Sequence, residues 1–324
     1  MAPSRALPLL APFICGCNLF VSLEPLQGGG EGGEASSSGT LSGPSSSSTG
    51  AGAAGGGGAG GAPPTAWERC VASKSPLIHL RMSGSITEPN LGSTKTNVPS
   101  ATYYQPHSTV PGLLVAEADE AASFDDPLSD IGDADEDESG RLELADPGGF
   151  AGLEQFSIEL WFRTPESFDG GALVSRQTAT GGFRLELGAR QVSDGLDNVT
   201  FFMFDDTMGS LSYDERRRQV GFNADLSQPD EVHHVVFLYR RSATTTFDLA
   251  GNADDLVLWL DGVRTPLQAC CGPIPLPAIA APLSIGNGYS GAIDELVVHG
   301  RVLSDAEIQL HHAVGRGEAG ASCD

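Results

Sequence analysis

The chain has 324 residues, 42 of them glycine, and a formal net charge of −24 with a pI near 4.4. A surface of that sign repels phosphate backbones and anionic headgroups, which argues against nucleic-acid partners and against membrane attachment through a basic patch. The length accommodates one or two domains.

In chain order, Arg5 is followed by a short apolar run, Ala6 to Ile14, broken by Pro8 and Pro12. The run falls short of the roughly 18 apolar residues a membrane span needs, and it reads as an export signal. It ends at Ile14-Cys15-Gly16-Cys17, which resembles the bacterial lipobox. That resemblance implies a signal peptide over 1–16 and lipidation of Cys17 as the first residue of the mature protein. The competing reading is an ordinary signal peptide that happens to contain cysteines. Gln27 to Thr65 is almost wholly Gly, Ser and Ala. Such a composition buries too little surface to offset its ordering entropy, so residues 17–66 are expected to be a disordered tether, about 35 Å long on average at ~5–6 Å × √n. The folded part is then 67–318, with a tail over 319–324.

Strand signals recur through that part. Leu77 to Met82 is the first expected strand, while Ser83 to Thr109 is polar and weakly patterned. Strands are expected near Ala122–Phe124, over Gly140–Leu144 and over Phe156–Arg163. Ala172–Gln177 and Phe183–Ala189 read as a hairpin across Thr178–Gly182. Val199–Phe204, Glu231–Tyr239 and Asp255–Val263 follow, the last with a turn signal at Asp261-Gly262. Ser284-Ile285 leads into a Gly-Asn-Gly-Tyr turn, and Ala292–His299 predicts a strand with Ile293, Leu296 and Val298 facing inward. A short helix comes next. Ser304 is its cap, Glu307 completes a capping box, Leu303 staples to Ile308, and Gly315 is placed to stop it. Helical periodicity is nearly absent elsewhere.

Several of these stretches resemble the LamG-like jelly-roll modules of the concanavalin A-like lectin/glucanase superfamily. Gly291-Ala292-Ile293-Asp294-Glu295-Leu296 is similar to the family's last strand, G-x-I-D-E-V, and Arg301-Val302-Leu303-Ser304-Asp305-Ala306-Glu307-Ile308 to the helix start that follows it. Phe156–Arg163, Val232–Tyr239 and Leu256–Val263 resemble its central strands in the same order. The resemblance spans about Pro76 to Val314 and implies an all-β fold, a two-sheet antiparallel sandwich with one C-terminal helix.

Catalytic members of the superfamily place carboxylates at alternate positions on one strand, ~5–5.5 Å apart for a retaining mechanism. No strand here has that pattern, and Glu143 and Glu159 are isolated carboxylates. No enzyme is expected. The alternating Asp133, Asp135 and Asp137 lack interleaved apolar residues and read as a solvated acidic loop; an EF-hand is excluded because its sixth and twelfth positions would be Glu138 and Leu144. The resemblance offers Asp294, together with Asp125, as ligands to one structural Ca²⁺. The alternative for Asp294 is a turn residue that bonds local backbone. His233 and His234 point to opposite faces of a strand and cannot hold one metal together. His311 and His312 sit in the last turn of the helix, where its dipole favours positive charge. Trp161 and Trp259 read as packing residues.

Four cysteines remain: Cys70, Cys270, Cys271 and Cys323. An exported chain can oxidise them. The ends of a sandwich lie close together, which favours Cys70–Cys323 and leaves Cys270 and Cys271 as a vicinal pair or free thiols. The rival pairing joins each terminal cysteine to one of those two. The expected function is a non-catalytic, membrane-tethered module of the cell envelope that binds a carbohydrate or protein ligand, with a purely structural ectodomain as the alternative and a glycoside hydrolase third.

Overall fold

Strand β7 (Gln155–Arg163) shows how alternation becomes architecture. Phe156, Ile158, Leu160 and Phe162 point into the main core, while Glu159 and Trp161 point the other way and are equally buried. A strand buried on both faces needs a layer on each side. One layer is a second sheet and the other is a pair of helices.

The computed structural model describes residues 64–83, 86–104, 107–115, 120–124, 140–148, 153–165, 170–188, 197–205, 217–224, 226, 230–240, 256–265 and 279–323. The signal segment, Cys17, the tether, Asp125, the acidic loop, Cys270 and Cys271 lie outside the described residues.

The first sheet runs β14 (Val263–Thr265), β13 (Leu256–Leu260), β12 (Val232–Arg240), β7, β16 (Gly291–His299), β5 (Glu120–Phe124), β4 (His107–Pro111), and β1 (Ile78–Leu80) also pairs with β16. The second runs β11 (Arg217–Ala224), β10 (Asp197–Asp205), β9 (Gly181–Leu187), β8 (Gly171–Thr178), β15 (Leu283–Ile285), β6 (Arg141–Leu144), β3 (Ser100–Tyr104), β2 (Thr87–Pro89). The pairings are antiparallel, and strands remote in sequence are neighbours, as in a jelly roll. Between the sheets lie aromatic rings such as Phe201 on Phe237, 4.1 Å between centroids, and Phe156 on Tyr239, 4.9 Å.

Ile293, Leu296 and Val298 all enter this core, although their spacing breaks strict alternation. A bulge reconciles the two. The register of β16 on β7 shifts between Asp294 and Val297, and Glu295 takes a left-handed φ of 51°. A non-glycine residue there carries backbone strain, and here the strain turns Asp294 and Glu295 out of the core.

Helix α2 (Asp305–Gly315) has the expected capping box, and Leu303 and Ile308 share one apolar cluster. Its stop is not Gly315. The Gly317 N–H donates to Val314 O and the Glu318 N–H to Ala313 O, closing a Schellman motif with Gly317 at φ 65°. Gly315 is needed for another reason: a Cβ there would collide with the Trp161 ring. A second helix, α1 (Ala66–Ala72), corrects the expectation that helix is confined to the C-terminus. Its capping box pairs Thr65 with Glu68, and it buries Trp67, Cys70 and Val71. Ser83–Thr109 is likewise more ordered than its pattern suggests, holding β2, a 3-10 turn (Ser93–Thr96), β3 and the start of β4.

Candidate functional site

The two sheets have outer faces of opposite character. On the second sheet the polar positions of each strand face away from the core, and register aligns them. Thr87 pairs with Thr102, Thr102 with Glu143, Glu143 with Ser284, Ser284 with Ser175, Ser175 with Arg184, and Arg184 with Phe202. The result is one row of polar groups crossing the strands from β2 to β9, with Phe202 of β10 at its end. Two adjoining hollows lie over it. One, of about 360 Å³, is lined by Thr102, Tyr104, Glu143, Asp146 and residues 280–282. The other, of about 200 Å³, is lined by Arg141, Glu143, Ser175, Gln177, Ser284 and Asn287. They share Glu143 and Pro282, so they form one open groove over β3, β6, β15 and β8. At strand spacing that is about 14 Å.

The groove's charges are paired. Arg141 Nε donates to Glu143 Oε1 at 2.7 Å while its guanidinium lies 5.1 Å from the centre of the Tyr104 ring. The buried Arg176 donates to Asp146 at 3.0 Å. Farther along the face, Arg184 meets Glu186 at 2.7 Å and covers Phe202 at 5.2 Å. Burial pushes the Glu186 carboxyl up, and the Arg184 charge opposes this. Tyr104 keeps 43% of its surface exposed. A charge-balanced lining of paired ions, hydroxyls, amides and one partly exposed aromatic ring can hydrogen-bond and stack on a polyhydroxylated ligand. Glu186 and Glu143 stand three strands apart, about 14 Å at strand spacing, well beyond the carboxylate separations of glycoside hydrolysis.

The outer face of the first sheet is covered by α1 and α2, and the carboxylate of Glu159 lies beneath them, fully buried. His234 Nε2 is 2.9 Å from it, His311 Nδ1 3.0 Å, and His299 Nε2 3.5 Å. Burial opposes the charge on Glu159, but His311 and the bonding imidazoles overcome it and hold the carboxyl well below the usual range. Burial likewise opposes a charged His311, and the Glu159 carboxylate outweighs this and raises its pKa. Beside them His79 Nε2 contacts Glu295 Oε2 at 2.7 Å, and Arg81 bridges toward Glu68 at 2.9 Å.

The structure therefore gathers residues that the sequence reading kept apart. Glu159 is hydrogen-bonded by imidazoles from two other elements, His234 and His311, with His299 of a third 3.5 Å away. His311 faces it, so its charge answers to a carboxylate more than to the helix dipole. His234 and His233 do point to opposite faces, His233 Nδ1 reaching Asp261 at 2.8 Å. Trp161 packs under the helices, and Trp259 packs with Leu303 and Ile308. Cys70 bonds Cys323, with Cα atoms 5.1 Å apart. Asp294 is fully buried and accepts the Leu113 N–H at 2.8 Å. Among the described residues no group of three or more His, Cys, Asp or Glu is arranged to hold a metal ion. The capping pair Thr65 and Glu68 was the one sequence signal that could have placed α1 over this cluster.

An antiparallel jelly roll with one covered and one grooved face defines a class, the β-sandwich modules related to lectins and glucanases. The Laminin_G_3 family profile, described as the concanavalin A-like lectin/glucanases superfamily, matches residues 136–309, and the chain belongs to that superfamily. No curated protein matches the chain. Among solved structures it is similar to domain 4 of AbnA, an extracellular arabinanase from Geobacillus stearothermophilus solved with arabinotriose, at 14% identity and a TM-score of 0.47, covering 74% of this chain and 98% of that one. It is also similar to the binding domain of botulinum neurotoxin DC in complex with SialylT, at 11% identity and a TM-score of 0.49, covering 74% of this chain. The binding domain of Paraclostridial Mosquitocidal Protein 1 is similar at 13% identity and a TM-score of 0.48, again over 74% of this chain. The chain spans about half the length of those last two, 52% of each. At such identities these likenesses concern the fold alone.

Proposed function

We propose that this chain is a non-catalytic binding module for a neutral carbohydrate, displayed in the cell envelope through a lipid on Cys17 and the Gly/Ser-rich tether. The observation that carries the reading is the open groove over β3, β6, β15 and β8, with its hydroxyl and amide floor, paired charges and exposed Tyr104. A net charge of −24 further disfavours polyanionic glycans. Glu143 and Glu186, three strands apart on this face, stand beyond the carboxylate separations of glycoside hydrolysis. A glycan-array screen of the purified protein tests the binding, with retention of neutral glycans expected; binding to none of them sinks the reading and leaves a structural ectodomain. Anchoring is tested separately by Cys17→Ser, which should move the protein out of the detergent phase. One structural Ca²⁺ held through Asp294 and Asp125 is a further part of the proposal, tested below.

A further inference from the structure

The buried groups beneath α1 and α2 have no part in the groove on the opposite sheet. We propose that α1, α2 and the C-terminal tail form one disulfide-linked clasp that releases the first sheet on acidification, unsealing the Glu159 cluster while the sandwich stays folded.

The groups that face one another there come from six elements. β7 supplies Glu159 and β12 supplies His234, beside the His233–Asp261 pair. β16 supplies Asp294, Glu295 and His299, and β1 supplies His79 and Arg81. α1 contributes Glu68, which meets Arg81. α2 contributes His311 and His312, with Glu307 held by Arg301 and Lys74 at its outer edge, and Glu318 and Arg316 near His312 beyond its end. The clasp thus grips the sheet partly through groups whose charge changes with pH. His311 bonds Glu159, and Trp67 sets its edge against both His79 and His311 at 6.0 and 6.5 Å.

Three features make this a device rather than an inert core. His299 is 1% exposed and neither of its ring nitrogens makes a hydrogen bond, so the seal includes an imidazole with no acceptor of its own beyond the Glu159 carboxylate 3.5 Å away. A cleft of about 290 Å³ between α1 and residues 91–95 is lined by Glu68 and His79, which gives solvent protons a path to the cluster's edge. The bond Cys70–Cys323 joins α1 to the tail behind α2, and only the short backbone segments 73–77 and 300–304 tie the pair to the sheet, so the two helices lift as one unit hinged at those segments.

The signs follow from the groups. Burial lowers the His79 pKa to about 4, with Arg81 and His299 reinforcing this. A histidine so depressed stabilises the closed form fully above its ordinary value near 6.5, and that stability is lost as pH falls toward about 4. His312 is lowered by burial and acts in the same direction, and the depressed Glu159 adds a loss at still lower pH. His311 is raised, so its contribution is full below 6.5 and lost as pH rises. The clasp should hold best near pH 6.5 and lose most on the acid side.

Hydrogen exchange on the intact, oxidised full-length protein, corrected for intrinsic rates, reads this segment by segment. Protection of residues 66–72 and 305–315 is expected to fall at least tenfold between pH 6.5 and 4.5, with one shared midpoint, while peptides from β7 and β12 keep theirs. Unchanged protection of the helices, loss across all segments together, or different midpoints for the two helices would each overturn the proposal. His79→Gln keeps a donor for Glu295 but takes no proton, so its acid loss should shrink; an acid loss identical to wild type counts against the mechanism. Should that variant fail to fold, the wild-type exchange profile decides alone.

Discussion

The two outer faces obey the same alternation and end in opposite states. On β7 the outward residues include Glu159 and Trp161, and on β6 they are Arg141 and Glu143. Glu159 is fully buried and bonded by imidazoles, whereas Glu143 lines an open groove and pairs with an arginine on its own strand. What separates them is cover. Two short helices, the first tied by a disulfide to the tail behind the second, close one face, and among the described residues no helix lies over the other. A carboxylate on a sheet's outer face is thus a structural charge or a ligand contact according to what the chain ends do. Strand pattern alone does not distinguish the two.

The comparison breaks most sharply at Glu159. Glu159→Leu removes the carboxylate that the buried His234 and His311 imidazoles bond, and leaving such buried polar groups without their partner typically costs about 1–3 kcal/mol. Denaturant unfolding should show that drop, with the groove's intrinsic ligand affinity unchanged. Gly315→Ala drives a methyl into the Trp161 ring and should cost about 1–3 kcal/mol by overpacking, lowering the thermal midpoint. On the open face the balance reverses. Tyr104→Ala should change stability by no more than about 0.5 kcal/mol. It should weaken the best glycan found on the array about tenfold by calorimetry, a change of ~1.4 kcal/mol. Smallest is the metal effect. If Ca²⁺ binds through Asp294 and Asp125, chelator should lower the melting midpoint by a few degrees and Mg²⁺ should restore it poorly. Equal rescue by Mg²⁺ would mean general charge screening.

Much of the fold was legible in the sequence. The strands from β6 onward, apart from β11 and β14, announce themselves through apolar alternation, and Ser304 with Glu307 fixes the start of α2. The missed elements are short or sparsely apolar, β11 (RRQVGFNA) being of the second kind. α1 has seven residues, and β2 has three, one of them Pro89. The covered cluster was invisible for another reason. Glu159 and His311 lie 152 positions apart and His79 and Glu295 lie 216 apart. Only the jelly-roll crossing order brings them together, and a carboxylate on a strand looks isolated until that order is known. The groove was hidden likewise, because Ser284 and Glu143 become neighbours through register alone.

The Cys70–Cys323 bond also sets how the module would carry a mechanical load. If a ligand in the groove holds the second sheet while the chain ahead of Thr65 is pulled, tension enters α1 and reaches Cys70 within one short helix. The covalent bridge there divides the force between the strand that follows α1 and the tail behind α2. Because β1 and β16 are hydrogen-bonded neighbours, both branches arrive at the centre of the first sheet. The pull is shared between two adjoining strands instead of falling on one alone, an arrangement suited to a domain that must stay folded while tugged at one end.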